Sequence, residues 1–515
     1  MFIEVSSVSG PPSEEGQSGL ILTPVNTHDR GYRTTYELHI REVDNCLPMQ
    51  LGTVKIGSTH QQPGHRALRP GQYSALDDES RPHHWFSVGQ DDTYYDNISR
   101  LGDEQRVSIL TALSDIAFSR EAFAAAMEHE VTHKSLLRHI AEATVVMQFR
   151  RIAAGGDRLA GYHFAYTPPA EQAHESATLD FKADPGSTPP SNVHVLIGRN
   201  GVGKTTLLKR IARTAVSLDP SEADGTFTLC DPPFGVSMGV PGNVVSVCFS
   251  AFDPFSGFVD VSPDGHMSFE YVGLHIRAGD HSERKSHEDL AAEFTGSLAV
   301  IHATGRTQRW AHAVGALMSD PAFASGSVPA LVDYMSSTEP DDLFHAAAHR
   351  VFRELSSGHA IVLLTLTRLV ELVVEQTLVL LDEPESHLHP PLLSAFVRTL
   401  SQLLADRNGI AIVATHSPVV LQEVPRSCVW KLSRWGRLRA ERPSMETFGE
   451  NVGVLTHEVF GLEVQESGFH ALIQQAVAEL DTYEDVLDRF GGQLGGEARG
   501  LVRILLADKA AGEDS

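Results

Sequence analysis

The chain has 515 residues, 42% of them hydrophobic and 21% charged, so it is long enough to bury a large core and to hold two or three structural units. Its 41 basic and 66 acidic residues give a net charge of −25, which argues against a protein that coats nucleic acid through charge alone. The four cysteines lack Cys-x-x-Cys spacing and no apolar run has the length of a membrane helix, so we expect free thiols, a cytoplasmic location and no membrane partner.

The first third of the sequence combines strand and helix patterns. Residues 1–31 are rich in Gly, Pro and Ser without periodicity, which predicts a loose arm or edge segment. Strands are predicted where β-formers dominate, at 32–40, 51–56 and 161–167. Apolar periodicity predicts helices over about 100–160, and the composition of 168–191 predicts a linker.

A metalloprotease-like motif lies in this helical region, at His129-Glu130-Val131-Thr132-His133. On a helix, the i, i+4 spacing puts both histidines on one face, as zinc binding needs. His139 has the spacing of a third ligand, but Leu136 stands where such sites need a helix-breaking glycine. With 26 histidines in the chain, a chance match is expected in about one of ten such sequences, so we favour an ordinary helix and keep a zinc protease as an alternative.

Residues 198–205, Gly-Arg-Asn-Gly-Val-Gly-Lys-Thr, match the P-loop pattern between a predicted strand at 193–197 and a predicted helix. The loop N–H groups and the helix N-terminus are suited to binding phosphate. Lys204 is predicted to contact the β- and γ-phosphates, and the Thr205 hydroxyl to bind Mg²⁺. The predicted ATP-binding residues are Asn200, Gly201, Val202, Gly203, Lys204, Thr205 and Thr206.

The segment Leu355-Ser356-Ser357-Gly358-His359 precedes an amphipathic helix, whose free N–H groups would form an anion site. It resembles the Leu-Ser-Gly-Gly-Gln signature of ABC ATPases, with Ser357 and His359 as the two differences. In that family the signature contacts the γ-phosphate bound to the other subunit. The resemblance therefore implies that Ser356, Ser357 and Gly358 bind ATP in a head-to-tail homodimer with two ATP sites.

Two buried parallel strands are predicted next, at 377–381 and 410–414. The first ends in Asp382-Glu383, where Asp382 is predicted to hold Mg²⁺ and Glu383 to orient or deprotonate the attacking water. His416 follows the second strand and is placed to contact the γ-phosphate and that carboxylate. The predicted catalytic residues are therefore Lys204, Glu383 and His416, and the predicted metal ligands are Thr205 and Asp382.

The segment 382–390, Asp-Glu-Pro-Glu-Ser-His-Leu-His-Pro, differs from the D-loop of transporter ATPases. It resembles the RecF, SMC-related and OLD-type ATPases, and the resemblance extends over about 192–425. The pieces 249–255 and 447–453 resemble the ATPase subunits of Septu and retron-associated bacterial anti-phage defence systems. In place of the Q-loop glutamine of the family, this sequence offers Ser250 or Asp253.

The resemblance implies an α/β fold: an ABC ATPase head with a mixed P-loop sheet, an antiparallel lobe and helical insertions. We expect strands of that lobe and one insertion (about 100–160) in 1–190, the P-loop core with a second insertion (about 265–350) in 191–425, and a helical region in 426–515.

The functional hypothesis is a Mg²⁺-dependent ATPase that acts as a dimeric switch and regulates a nuclease or other effector in anti-phage defence. The C-terminal part lacks the Asp-x-Asp of a Toprim nuclease, so a nuclease would be a separate protein, of the HNH type by the Septu resemblance. Higher oligomers and direct DNA binding stay open. The alternatives are a RecF-like DNA-repair ATPase that binds DNA ends, a transporter energy subunit and the zinc protease.

Overall fold

The computed structural model describes residues 2–6, 18–25, 30–41, 47–74, 84–138, 140, 142–169, 178–216, 224–230, 243–249, 269–278, 281–304, 306–324, 327–336, 341–466 and 468–513. An N-terminal sheet with its own helices packs beside a larger sheet that is covered by helices on both faces.

The N-terminal sheet has its own hydrophobic core. Its strands are β1 (Ile3–Val5), β2 (Gly19–Pro24), β3 (Thr35–Arg41), β4 (Met49–Ser58), β5 (Gly71–Tyr73) and β6 (Trp85–Gly89), in the order β5-β1-β2-β3-β4-β6. Only β1 and β2 pair in parallel among these described strands. The helices that follow are α1 (Asp92–Ser99), α2 (Asp103–Ala112), α3 (Arg120–Met127), α4 (Glu142–Thr144) and α5 (Arg150–Ala153), with π-helical turns at Thr132–Leu136 and Val145–Phe149. All buried members of this core come from 3–153, so the region packs around itself.

The central sheet is mixed and almost entirely parallel. Its strands are β9 (Val193–Ile197), β11 (Asn243–Cys248), β12 (Phe269–Gly273), β15 (Thr377–Asp382), β16 (Ile410–Thr415), β17 (Val429–Trp435) and β18 (Arg437–Glu441). In the described part of the chain their order is β12-β11-β15-β16-β9-β17-β18, and only β18 pairs antiparallel. Two smaller antiparallel sheets accompany it, formed by β7 (Tyr162–Thr167), β8 (Leu179–Ala183) and β10 (Thr226–Leu229), and by β13 (His275–Ala278) and β14 (His281–Arg284).

Both faces of the central sheet are buried, which explains the continuous apolar runs of its strands. In β15, Leu378 and Leu380 pack with α6 (Lys204–Val216) and the β10-β7-β8 sheet, whereas Val379 and Leu381 pack with the helices of the opposite face. Those helices are α7 (His287–Ala303), α8 (Thr307–Gly315), α9 (Pro321–Ala324), α10 (Val328–Ser336), α11 (Asp341–Glu354), α12 (Ser357–Leu372), α13 (Pro390–Ala405) and α14 (Pro418–Leu421), with 3₁₀ turns at Ala316–Ser319, Pro384–His387 and Arg426–Cys428.

The chain continues into α15 (Val452–Glu466), α16 (Phe469–Glu479), α17 (Tyr483–Arg489) and α18 (Gly496–Glu513). The last three of these helices share a small hydrophobic cluster of their own.

The α/β class predicted from the sequence is confirmed, and every predicted strand is present within a few residues of its expected bounds. Three local expectations were wrong. Residues 3–5 and 19–24 form paired strands instead of a loose arm, the supposed linker contains β8, and β17 and β18 lie in the region expected to be helical. The strands before residue 90 form a sheet of their own, distinct from the central sheet. The division into domains at 190 and 425 stays a prediction.

Candidate active site

The sequence motifs meet at one edge of the central sheet. The strands β9, β16 and β15 are parallel neighbours, so their carboxyl ends lie side by side. In the register, Asp382 lies opposite Ala414 and Thr415 opposite Ile197. The P-loop, the Asp382-Glu383 pair and the His416 segment therefore surround a single space, where α/β sheets usually bind their ligands.

Two glycines fit the P-loop to its surroundings. A Cβ atom at Gly198 would clash with the carbonyl oxygen of Leu432 on β17, so the backbone can run close to that strand only without a side chain. Gly203 has a φ of +103°, a left-handed conformation that glycine adopts without strain.

The remaining predicted phosphate-binding residues follow the loop. Asn200 and Gly201 are exposed at its tip, and Val202 is buried behind them. Thr206 is exposed in the first turn of α6. The loop therefore presents its backbone at the surface while Val202 anchors it to the core.

Lys204 is held in the site by its own loop. Its Nζ donates hydrogen bonds to the carbonyl oxygens of Gly198, at 2.8 Å, and Arg199, at 3.1 Å. Burial lowers the pKa of Lys204, although the carboxylates of Glu383, Glu385 and Asp382 act in the opposite direction. The ammonium group thus stands among three carboxylates, close enough to feel their charge.

Thr205 and Asp382 form the pair predicted to bind metal. The Thr205 hydroxyl lies 2.9 Å from one carboxylate oxygen of Asp382 and 2.8 Å from the other, and it donates to this carboxylate. A hydroxyl and a carboxylate are the hard oxygen ligands that Mg²⁺ prefers, so the pair fits this ion.

Glu383 and His416 are also brought together. Glu383 has a left-handed backbone (φ 47°, ψ 56°), held by a hydrogen bond from its N–H to the Ala414 carbonyl at 2.8 Å. His416 Nδ1 lies 3.8 Å from the Glu383 carboxylate. The strained turn places the half-buried Glu383 side chain at the mouth of the site, beside the exposed His416.

Two further residues contribute, and the sequence analysis gave them no role. Glu385 accepts hydrogen bonds from the Thr415 hydroxyl (2.6 Å) and the His416 N–H (2.7 Å), and its Oε1 lies 3.1 Å from His416 Nδ1. Arg434 of β17 comes within 3.6 Å of the position that a Cβ on Gly203 would take. Glu385 was visible in the Asp-Glu-Pro-Glu segment, whereas no sequence signal pointed to Arg434.

The signature-like segment lies elsewhere. Ser356 and Ser357 are exposed at the start of α12, and a Cβ at Gly358 would clash with the carbonyl oxygen of His387. Among the described residues, no hydrogen bond or ion pair joins Ser356, Ser357 or Gly358 to the P-loop. The segment is thus free to face a second molecule.

A polar network surrounds the first turn of α12. The Ser356 hydroxyl lies 2.6 Å from His359 Nδ1, and His359 Nε2 lies 3.2 Å from the Asp320 carboxylate. The other oxygen of that carboxylate lies 3.2 Å from His389 Nε2. Burial acts to raise the pKa of Asp320, but hydrogen bonds from the Ala322 N–H and His359 lower it below its usual value.

The zinc-protease alternative lacks its helical geometry. Helix α3 ends at Met127, so His129 and His133 are not one turn apart on a regular helix. His129 stacks on Phe86, and His133 Nε2 lies 2.9 Å from the Met127 carbonyl oxygen. His139 lies outside the described residues, as do Ser250 and Asp253 of the predicted Q-loop position.

None of the helices in the described ranges combines the length and apolar character needed to cross a membrane. Three of the four cysteines are described, and all three are free thiols: Cys230, Cys248 and Cys428.

Two ABC transporter proteins are among the solved structures that resemble this chain. A putative metal-chelate type ABC transporter in an inward-facing conformation is 16% identical, with a TM-score of 0.29, over 58% of this chain and 89% of that one. The protein cbiO1 from Clostridium perfringens, part of an ABC transporter complex, is 15% identical, with a TM-score of 0.27, over 52% of this chain and 83% of that one.

Comparisons of sequence match this chain to one protein family over part of the site and to one relative over nearly the whole chain. A family model described as "AAA domain, putative AbiEii toxin, Type IV TA system" matches residues 324–422, which include the signature-like segment, Asp382, Glu383 and His416. Protein ea59 of Escherichia phage lambda is 37% identical over 498 residues, covering 94% of this chain and 93% of that protein. The similarity to that relative therefore extends through the N-terminal sheet and the C-terminal helices.

Proposed function

We propose that this chain, which belongs to the family of Protein ea59 of Escherichia phage lambda, is a Mg²⁺-dependent ATPase whose active unit is a head-to-tail dimer. One observation carries the proposal: the Thr205 hydroxyl contacts the Asp382 carboxylate at the sheet edge where Lys204 and Glu383 also stand. These side chains come from separate parts of the sequence, and nucleotide hydrolysis needs all of them in one place.

Each residue has a chemical role in this proposal. The P-loop N–H groups and Lys204 bind the phosphates, and Lys204 exchanges its present carbonyl partners for phosphate oxygens. Thr205 and Asp382 would hold Mg²⁺, which neutralises phosphate charge when bound. Glu383 orients and deprotonates the attacking water, with His416 beside it.

The position of the signature-like segment supports the proposed dimer. Ser356 and Ser357 are exposed at the N-terminus of α12, which suits a phosphate. The segment contacts residues 382–390 of its own chain, the D-loop, and not the P-loop. A second copy in head-to-tail arrangement would supply Ser356, Ser357 and Gly358 to the first copy's nucleotide, and the reverse.

The test measures hydrolysis and mass together. Wild-type protein should hydrolyse ATP with Mg²⁺ and stop when EDTA is added. Lys204→Ala should lose nucleotide binding in equilibrium titration. Glu383→Gln should bind ATP, hydrolyse it at least about 100-fold more slowly, and accumulate as an ATP-bound dimer in light scattering. Undiminished turnover by Glu383→Gln, or a monomer at saturating ATP, would contradict the assignment.

We further propose that the dimer is a switch that controls a separate effector, such as an HNH nuclease, in anti-phage defence of the Septu or retron-associated kind. The pieces 249–255 and 447–453 support this, because they resemble the ATPase subunits of such systems, and the segment 382–390 resembles the RecF, SMC-related and OLD-type ATPases. The description of the matched family, which names a putative toxin of a toxin–antitoxin system, points in the same direction. A phage-encoded relative fits the proposal if a resident phage uses the switch against competitors.

Copurification of Glu383→Gln with the proteins encoded beside it tests this role. An effector retained in ATP and released without it would support the switch. A lone chain that dimerises only on DNA ends, with an affinity that falls steeply as salt rises, would favour the RecF-like alternative.

A further inference from the structure

A cavity of about 600 Å³ separates the N-terminal sheet from the helices of the ATPase core. Its walls come from β3 and β4, from the start of α1, from α8 and from the end of α13. This volume lies in the range of small-molecule binding sites. It is remote from the residues predicted to hydrolyse ATP, none of which lines it.

Four arginines line the cavity: Arg158, Arg306, Arg309 and Arg407. Arg158 pairs with Asp92 at 2.7 Å. Arg407 is neutralised: it pairs with Asp91 at 2.8 Å and with Asp92. Arg306 and Arg309 therefore stand beside an ion cluster whose own charges are already balanced.

Arg309 has no such compensation. Its Nη1 and Nη2 donate only to the carbonyl oxygens of Val373 (3.2 Å) and Leu403 (3.4 Å). Its Nε is buried without a hydrogen-bond partner, and no carboxylate among the described residues pairs with it. Arg309 is half-buried and lines the cavity, and its buried Nε lacks an acceptor, which costs free energy unless a bound anion offsets the charge.

The electrostatic environment agrees with this geometry. Burial lowers the pKa of Arg309 well below its usual value, and the positive charges of Arg407 and Arg306 lower it further. Asp91 and Asp406 act in the opposite direction but do not restore it. A bound anion would remove the remaining repulsion.

We propose that this cavity binds a small phosphate-bearing molecule, with Arg306 and Arg309 as its anion-recognising residues. Arginine presents planar, forked donors that suit phosphate, and the cavity has room for a group of about nucleotide size beside it. The site is separate from the P-loop and does not depend on ATP hydrolysis.

Two arginines of the cavity wall also contact the C-terminal end of α12, the helix that begins with the signature-like segment. Arg306 donates to the carbonyl oxygen of Glu371 and Arg309 to that of Val373, at the last turn of α12. The signature-like segment begins the same helix. An anion that draws these two arginines toward the cavity therefore acts on the element that faces the second subunit.

Titration calorimetry in the Lys204→Ala background tests the site, because that change removes the main anion ligand of the P-loop. The probes are inorganic phosphate, pyrophosphate and AMP. The cavity variants are Gln308→Glu and Gln402→Glu, two exposed wall residues that acquire a negative charge without disturbing the core. Gln493→Glu makes the same change at an exposed position between α17 and α18 and serves as control.

We expect one equivalent of at least one probe to bind, and affinity to fall tenfold or more in each cavity variant and in Arg306→Gln, with the control unchanged. Because the glutamine variants change only the surface, failure of Arg306→Gln to fold would leave the test intact. Binding that is equal in all variants, preference for the dicarboxylate succinate, or no binding of any probe would overturn the proposal.

Discussion

Glu385, in the D-loop, contacts the end of β16 and the segment that follows it. Its carboxylate contacts the Thr415 hydroxyl, the His416 N–H and the His416 imidazole. Its second oxygen is buried without a hydrogen-bond partner among the described residues. This carboxylate fixes the direction from which His416 approaches Glu383. We therefore regard Glu385 as a positioning residue, because no contact with the reacting atoms is required of it.

Glu385→Ala should lower kcat by up to about 100-fold and leave KM for ATP nearly unchanged, because misplacement of His416 affects the reaction more than nucleotide binding. Steady-state kinetics measures this split. Glu446→Ala is the structural control, since Glu446 also accepts from backbone N–H groups, those of Arg426 and Thr447, and lines the same cavity as Ser191, before β9 and so at the end of that strand opposite the P-loop. A rise in KM equal to the fall in kcat would identify Glu385 as part of the nucleotide contact instead.

Asp115 is a buried acid in the N-terminal region. It accepts hydrogen bonds from the Tyr95 hydroxyl and from the N–H groups of Ala117 and Phe118. Burial raises its pKa to about 7, although these hydrogen bonds oppose the shift. The protonated form is therefore favoured by folding, and its stabilisation is complete below the unfolded-state pKa and is lost as the pH rises through 7.

Asp115→Asn removes this dependence while keeping an oxygen acceptor. Wild-type protein should lose on the order of 4 kcal/mol of unfolding free energy between pH 4 and pH 7 relative to the variant. Denaturant unfolding at several pH values measures the difference. Asp157→Asn, at an exposed position, should follow the wild-type curve. Parallel curves for wild type and Asp115→Asn would show that the acid ionises normally.

At the scale of elements, the start of α12 is packed directly against the D-loop turn. Gly358 leaves no room for a side chain beside the His387 carbonyl, and His387 in turn lies 3.1 Å, through its Nε2, from the carbonyl oxygen of Phe249. The signature-like segment, the D-loop and the end of β11 thus form one continuous contact. A disturbance of this contact should weaken the dimer and not the P-loop.

Gly358→Ala should reduce ATP-dependent dimerisation and hydrolysis by about 10- to 100-fold, since overpacking costs about 1–3 kcal/mol. Nucleotide binding to the monomer should persist. Gly296→Ala, in an exposed and unobstructed part of α7, is the matched control and should keep full activity. Equal loss in both variants would mean that the effect is general instability.

Sequence patterns predicted the elements that carry the motifs because those strands are buried on both faces and read as continuous apolar runs, as in β9, β15 and β16. They did not predict β8, whose alternating residues follow a segment with the composition of a linker. Arg434 was also missed: it reaches Gly203 only because β17 pairs with β9, and pairing partners distant in the chain leave no local signal.

At the scale of the whole molecule, buried charges join the N-terminal region to the ATPase core. Arg407, after α13, pairs with Asp91 and Asp92 at the start of α1, and Arg151 pairs with Glu375 at 2.5 Å. Burial acts to raise the pKa of Asp91, but Arg407 lowers it below its usual value. The sequence could not reveal this interface, because each partner is an ordinary charged residue until the fold brings them together.

Arg407→Met should destabilise the protein by about 3–5 kcal/mol, because it leaves Asp91 without its counter-charge and Asp92 with Arg158 alone. Denaturant unfolding monitored by circular dichroism measures the loss. Arg489→Met breaks an exposed pair with Glu479 and should have a much smaller effect. Similar losses in the two variants would mean that the interface is hydrated and mobile.

The order of strands in the central sheet has a consequence for synthesis on the ribosome. The P-loop strand β9 pairs with β16 on one side and β17 on the other, and both are made of residues after 409. At usual elongation rates the P-loop strand therefore waits about 10–40 s for its neighbours. During that time its unpaired apolar edges are exposed to other nascent chains. A product truncated before β16 would carry an intact P-loop sequence on a strand without either of its sheet neighbours.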